Sequence, residues 1–324
     1  MRLSIGVPVY NQGNFLRETI ESLLAQEIPF HEIVVSNNHS TDSTAEILRE
    51  FEGSIRVIMP PSHLKMVQNW NFTVSQLGGD WFSLLSSDDL ALPNFVRSVA
   101  ETVESVPDAV LVRAAWIDID VAGTTMEERH LMSVRRITVA PRAIYEQRFG
   151  PKGSFAAFAL RRDIWQQVGG FPEEVTLVGD WGMWLLAGAL GSIAYCDQPI
   201  AKYRLGHQSG TIRGRHHIHA HEMYVVYSEL LPRATQMAGL GVPRWIASAS
   251  RTQLRRWVVA ASNEFPPGER VRLIEAMRPW AEATGEQKLF RRFERGERMR
   301  SIDWSGIARR IARRLAALLR SARE

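Results

Sequence analysis

Two rhythms of apolar spacing alternate through the first hundred residues. Leu3 to Tyr10 is a β-branched, apolar run of strand length. Phe15 to Gln26 follows, with Leu16, Ile20, Leu23 and Leu24 on one helical face. Glu32 to Ser36 predicts a second strand. Ser43, with Glu46 three residues on, has the form of a capping box opening a helix through Phe51. Ile55 to Met59 predicts a third strand and Met66 to Leu77 a third helix. Trp81 to Leu85, Pro93 to Ser105 and Ala109 to Val112 then read as strand, helix and strand. This alternation implies right-handed crossovers and a largely parallel sheet covered on both faces. Ligands in such sheets sit at the carboxyl ends of the strands. The site is therefore expected just after Tyr10, Ser36 and Leu85.

Residues 113–160 mix polar and β-prone stretches and fix no topology. Arg162 to Val168 predicts a helix ending at Gly169-Gly170. Asp180 to Leu190 predicts another, with Trp181, Trp184, Leu185 and Ala189 as its apolar stripe, and Ile193 to Cys196 a buried strand. Beyond about residue 220 the pattern is helical, broken at Pro243 and Pro266-Pro267.

With 45% hydrophobic and 23% charged residues in 324, a core can form without staples. The lone Cys196 excludes an intrachain disulfide and a cysteine-based zinc site, and points to a reducing cytoplasm. The N-terminal apolar run is too short for a signal peptide, and no stretch has the length of a membrane span. Charge is uneven. Residues 250–324 carry 18 Arg and Lys against 9 Asp and Glu, while the rest of the chain is mildly acidic. A basic tail suits an anionic partner such as nucleic acid or the cytoplasmic face of a membrane.

Ser86-Ser87-Asp88-Asp89 closes the fourth strand. Adjacent carboxylates there are costly unless a cation or hydrogen bonds compensate them. A hard ion, Mg²⁺ or Mn²⁺, held with substrate phosphates is one solution; the start of the next helix, where acids favour the dipole, is the other. Asp118-Ile119-Asp120 has the Asp-x-Asp form but precedes a turn-like string, and is expected as a solvated loop. Ser36-Asn37-Asn38-His39-Ser40-Thr41-Asp42 can bond a base or ribose and also cap the following helix.

Taken in order, these segments resemble the family 2 glycosyltransferases over residues 1 to about 210. The matching stretches are Ile5-Gly6-Val7-Pro8-Val9-Tyr10-Asn11, Ile33 to Asp42, Ser87-Asp88-Asp89, and Val178-Gly179-Asp180-Trp181 with Leu185. The resemblance implies an α/β fold of GT-A type: a Rossmann-like, mostly parallel sheet flanked by helices in residues 1–210, then a helical region in 211–324. It also implies an inverting transfer from a nucleoside-diphosphate sugar to a glycan or lipid-linked acceptor, in surface polysaccharide synthesis. Pro8, Tyr10 and Asn11 would line the nucleoside pocket. Asp88 would lie near the ribose or diphosphate, Asp89 would coordinate the divalent cation, and Asp180 would be the general base. The family usually carries Asp at the position of Asn37 and an acid at that of Ser87. Asn37 would still accept a base N–H through its carbonyl oxygen. Lys65 and Asn69-Trp70-Asn71 would approach the donor, and His207 would reach the diphosphate or its metal ion.

Asp180 also stands on its own residues: a carboxylate at a helix start among Trp181 and Trp184 is poorly solvated and stays basic. His217 and His221 are four apart, as zinc ligands are, but no acid completes the pattern, so solvated helix-start histidines are expected. Ile302 to Arg320 predicts a basic amphipathic helix, with Trp304, Ile307, Ile311, Leu315 and Leu318 on one side. It would lie on the inner face of the cell membrane, or pack its stripe on the body or on a second subunit. No nucleic-acid-binding motif appears. The rival reading is a non-catalytic sugar-nucleotide platform, favoured by Asn37 and Ser87. A nucleotidyltransferase would need more glycine than Asn11-Gln12-Gly13-Asn14 offers.

Overall fold

Strand β1 (Leu3–Val9) buries every residue but Pro8, as a central strand must when helices cover both faces. The computed structural model describes residues 1–129, 136–206, 216–265 and 267–297. After β1 come α1 (Gly13–Leu24), β2 (Glu32–Asn37), α2 (Thr44–Glu50), β3 (Arg56–Ile58), α3 (Met66–Ser75), β4 (Trp81–Leu84), β5 (Leu90–Ala91) and α4 (Phe95–Ser105). Then follow β6 (Ala109–Ile119), β7 (Thr125–Arg129), β8 (Ile137–Thr138), α5 (Arg142–Glu146), β9 (Phe158–Arg161), α6 (Arg162–Val168), α7 (Gly179–Leu190) and β10 (Ser192–Arg204).

The sheet order is β3-β2-β1-β4-β9-β6-β10-β5, with β7 on β6 and β8 on β10. β1 to β4 are mutually parallel. β9 is antiparallel to both β4 and β6, and β10 is parallel to β6. Two reversals restore the direction, so β1, β2, β3, β4, β6 and β10 all end on one edge. The expected α/β fold, a central sheet flanked by helices, is what forms, with antiparallel pairs added by β5, β7, β8 and β9.

Leu16, Ile20 and Leu23 of α1 and Phe95, Val96 and Val99 of α4 pack with Leu3, Ile5, Val7 and Val9 in one core cluster. The other face is aromatic: Phe82 meets Phe158, Trp165 and Phe171 edge-on, and Phe158 packs on Trp184. α3 approaches β1 closely enough that a Cβ on Gly6 would lie 2.6 Å from Thr73 Cγ2 and 2.7 Å from Leu84 Cδ2.

Two expectations fail locally. The fifth strand does not stop at Val112: β6 keeps pairing with β10 as far as Ile119, so Asp118 is a buried strand residue rather than a loop one. Its carboxylate accepts from Trp116 Nε1 at 2.9 Å and Arg129 Nε at 2.6 Å. Ser43 makes no side-chain cap. Asp42 does that work, its Oδ1 accepting the Thr44 N–H at 3.0 Å and its Oδ2 the Gly13 N–H at 2.9 Å.

Beyond the sheet, α8 (His216–Val225), a π-helical turn (Val226–Leu230) and α9 (Leu231–Met237) lead to α10 (Arg244–Glu264), α11 (Pro267–Thr284) and α12 (Gln287–Glu294). The chain forms two compact units, Met1–Ser250 and Arg251–Glu324. In the second, Leu254, Val258, Leu273, Met277, Trp280, Phe290 and Phe293 are buried. The tail helix expected at Ile302 to Arg320 lies outside the described residues.

Candidate active site

The strand-end edge gathers the expected polar segments. At the end of β1, Pro8 is partly exposed and Tyr10 is 48% exposed, its ring 4.6 Å from that of His63. Asn11 takes a left-handed φ of 52°, which asparagine tolerates. Its Oδ1 accepts the Thr41 N–H at 2.7 Å, and its own N–H donates to Ser40 Oγ at 3.1 Å. The loops after β1 and β2 are thereby tied together.

Asn37 ends β2 and Asn38 follows it; both are buried. Asn38 is spent on structure: its Nδ2 donates to Leu64 O and its Oδ1 accepts the Leu64 N–H, both at 2.9 Å. Asn37 Oδ1 accepts the Ser40 N–H at 3.0 Å. The carbonyl expected to meet a base is thus already engaged. Lys65 is exposed at the start of α3. Asn69 and Asn71 both bond within the protein. Asn69 Oδ1 accepts from Ser36 Oγ at 2.8 Å, and Asn71 bonds the backbone of Phe171 at 2.7 and 3.0 Å.

After β4, Asp88 and Asp89 are 8% and 1% exposed. Asp89 Oδ1 accepts the Arg204 N–H at 2.8 Å, while Oδ2 has no partner among the described residues. Burial, and then the neighbouring charge of Asp88, push the Asp89 carboxyl well above the usual range; Arg204 offsets part of this. An orphaned, buried carboxylate oxygen beside a second carboxylate suits a hard divalent cation whose other ligands come from phosphate. No cluster of three or more ligating side chains occurs among the described residues.

Arg204, the last residue of β10, is a hub that no local pattern singles out. Its Nε donates to Asp88 O at 2.7 Å, its Nη1 to Val121 O at 2.9 Å, and its Nη2 to Glu18 Oε2 at 2.7 Å. Its guanidinium lies 5.0 Å from the Phe15 ring centre. One buried side chain therefore fixes the Asp88-Asp89 loop against α1, β10 and the β6–β7 turn. His207 lies three positions on, outside the described residues.

Asp180 is the second residue of α7. A single residue, Gly191, links α7 to β10. The helix packs on β6, beside β10, and runs back so that its N-terminus lies towards the strand-end edge. A Cβ on Gly179 would lie 3.1 Å from Val67 and 3.2 Å from Trp70 of α3, so this end abuts the helix that follows Leu64 and Lys65. Part of Asp180 stays open to solvent. The protein around its carboxylate still desolvates it and raises its pKa to about 6, against a 2.7 Å bond from the Trp181 N–H. Such a group is basic enough to take a hydroxyl proton near neutral pH.

Glu222 of α8 holds the segment before Asp180. Its carboxylate accepts the N–H groups of Thr176 and Leu177 at 2.7 Å and of Val178 at 3.2 Å. Burial raises its pKa and these bonds oppose the rise. In the sequence it is merely the residue beside His221.

A family model described as Glycosyl transferase family 2 matches residues 4–168. An uncharacterised glycosyltransferase of Rickettsia typhi is 24% identical over 209 residues, 63% of this chain and 64% of that protein. Glycosyltransferase GlyG of Streptococcus pneumoniae is 28% identical over 121 residues, 36% of this chain and 40% of that protein. The chain thus spans less than two thirds of the length of either relative. Among solved structures, S. aureus TarS 1–349 in complex with UDP-GlcNAc superposes with a TM-score of 0.66 at 17% identity, covering 92% of this chain and 88% of that one. That likeness is one of fold.

Proposed function

This chain belongs to glycosyl transferase family 2, and on that premise we propose that it moves a sugar from a nucleoside-diphosphate sugar to a hydroxyl of a glycan or lipid-linked acceptor. The observation that carries this reading is the desolvated Asp180 at the strand-end edge, the edge on which the Asp88-Asp89 loop follows β4. The nucleotide-sugar complex of the TarS neighbour supports the donor class.

In the proposed step Asp180 accepts the proton of the acceptor hydroxyl. The resulting oxygen nucleophile attacks the anomeric carbon from the face opposite the leaving group. The anomeric C–O bond breaks, its electrons pass to the nucleoside diphosphate, and the configuration inverts. Pro8, Tyr10, Asn11 and Asn37 would line the nucleoside, with Lys65 and Asp88 nearer the ribose and diphosphate. Asp89 would hold a divalent cation, Mn²⁺ or Mg²⁺, which when bound neutralises charge on the diphosphate. His207 would reach the same group. The chemistry falls within residues 1–210, and residues 211–324 would support it and carry the tail towards an inner membrane surface, in polysaccharide synthesis.

Calorimetry and turnover with D180N test this. The variant should bind a nucleoside-diphosphate sugar as tightly as the wild type and lose transfer by about a hundredfold or more. Unchanged turnover removes Asp180 from the mechanism. Metal-dependent binding by the wild type, without turnover on any acceptor, would leave a non-catalytic platform instead.

A further inference from the structure

The corner at the end of β2 offers hydrogen-bond donors where an acceptor was expected. Asn37 is only 4% exposed. Its amide orientation is fixed by chemistry: the Ser40 N–H, 3.0 Å away, can donate only to the oxygen, so a flipped amide would oppose two donors. The oxygen faces the turn, and the NH₂ group diverges from it. That nitrogen has no partner among the described residues, and it is not among the polar atoms sealed from solvent.

The neighbouring amides narrow the choice. Both polar atoms of Asn38 are consumed by the Leu64 backbone. Asn11, bonded to the same Ser40, has its oxygen held by the Thr41 N–H at 2.7 Å, which again leaves an NH₂ group. What this corner presents is therefore N–H donors, beside the half-exposed Tyr10 ring.

On the proposed function this corner receives the nucleoside, and we infer that Asn37 selects the base by its ring nitrogen. An NH₂ group pairs with an unprotonated ring nitrogen, as in cytosine N3 and adenine N1. It meets a second N–H at uracil N3 or guanine N1, where neither partner can accept. An aspartate here would keep the Ser40 bond with one oxygen and offer the other as an acceptor, which reverses the code. The donor is accordingly a cytidine- or adenosine-type sugar nucleotide.

Calorimetry on the full chain with CDP, ADP, UDP and GDP, each with Mn²⁺, tests the assignment for the wild type and for N37D. Wild type should bind CDP or ADP at least about tenfold tighter than UDP and GDP. Which of the two wins separates a pyrimidine from a purine pocket. N37D should reverse the order. A wild type that prefers UDP or GDP overturns the assignment whether or not the variant folds. So does an order unchanged in a folded N37D, and both outcomes leave the nucleotide site standing. A wild type that melts cooperatively yet binds none of the four overturns the nucleotide reading itself, and the assignment with it.

Discussion

Asp180 is held where ionisation is disfavoured, and this links the chemistry to folding. Its pKa in the folded protein, about 6, lies above that of an unfolded aspartate. The native state thus binds more protons between the two values. The stabilisation is complete below the ordinary aspartate pKa and is lost as pH rises through about 6. At pH 8 the enzyme carries the cost in full, so neutral D180N should melt higher. The gain should be about 1–2 kcal/mol, since residual solvation trims the raw shift. A thermal scan at pH 8 and at pH 4 checks it: most of the advantage should be gone at the lower pH, just above the ordinary aspartate value, and a variant less stable at both would contradict the desolvation. For the wild type, turnover should climb with pH along a limb near 6 as the base ionises. Asp89→Asn is the companion test. Its amide oxygen can still accept the Arg204 N–H, but the charge is gone, so nucleotide binding should lose its dependence on Mn²⁺ while the fold survives. Asp88, Asp89 and Asp180 were legible in the sequence because each is an acid in an apolar neighbourhood that comes from adjacent residues. Arg204 and Glu222 were not, because what makes them matter lies far away: Arg204 meets Asp89 across 115 positions and Glu222 meets Leu177 across 45. Such pairs leave no periodic trace.

Strands β1, β2 and β4 and helices α1, α3 and α7 appear within a few residues of where apolar spacing put them, because each follows from a face buried against its own neighbours. β6 exceeds its expected length, since its second half pairs with β10 and turns back through β7, both contributed by later sequence. The same dependence on distant partners governs how the site is assembled. Arg204 joins α1, β10, the β4–β5 loop and the β6–β7 turn through one buried guanidinium. Removing it leaves the Asp88 and Val121 carbonyls without their donor and frees the half-exposed Glu18 carboxylate, so R204A should lose about 1–3 kcal/mol in chemical denaturation. R204K cannot reproduce the fork and should recover only part. Hydrogen exchange should quicken at residues 86–92 in both; unchanged protection there would reduce Arg204 to a surface-like role. Glu222 acts one step from the chemistry by fixing the backbone before α7. E222Q keeps one accepting oxygen and turns an NH₂ towards a backbone N–H, a mismatch of about 1–3 kcal/mol. If Glu222 positions Asp180, kcat should fall and the pH limb should move while donor KM holds. A lower melting point with an unchanged pH profile would mark Glu222 as structural only.

Charge divides the molecule differently from packing. Packing gives units Met1–Ser250 and Arg251–Glu324, whereas residues 298–324 alone hold eight Arg against two acids. No helix among the described residues is long and apolar enough to cross a membrane. The spacing of the tail sequence itself favours an interfacial contact, with Trp304, Ile307, Ile311, Leu315 and Leu318 towards the acyl boundary and the arginines towards anionic headgroups. Each basic residue near such a surface contributes about 1 kcal/mol at low ionic strength, and screening removes much of it by physiological salt and above. Full-length protein should sediment with vesicles containing anionic phosphatidylserine and release as salt rises. It should ignore purely zwitterionic vesicles. A chain ending at Glu297 keeps every residue assigned to donor, metal and base, His207 included. It should turn over a water-soluble acceptor at the full-length rate and fail to sediment. Were the full chain to stay in the supernatant at low salt, the apolar stripe would instead need a protein surface. Light scattering of the two forms would then show a larger mass for the full chain than for the truncated one.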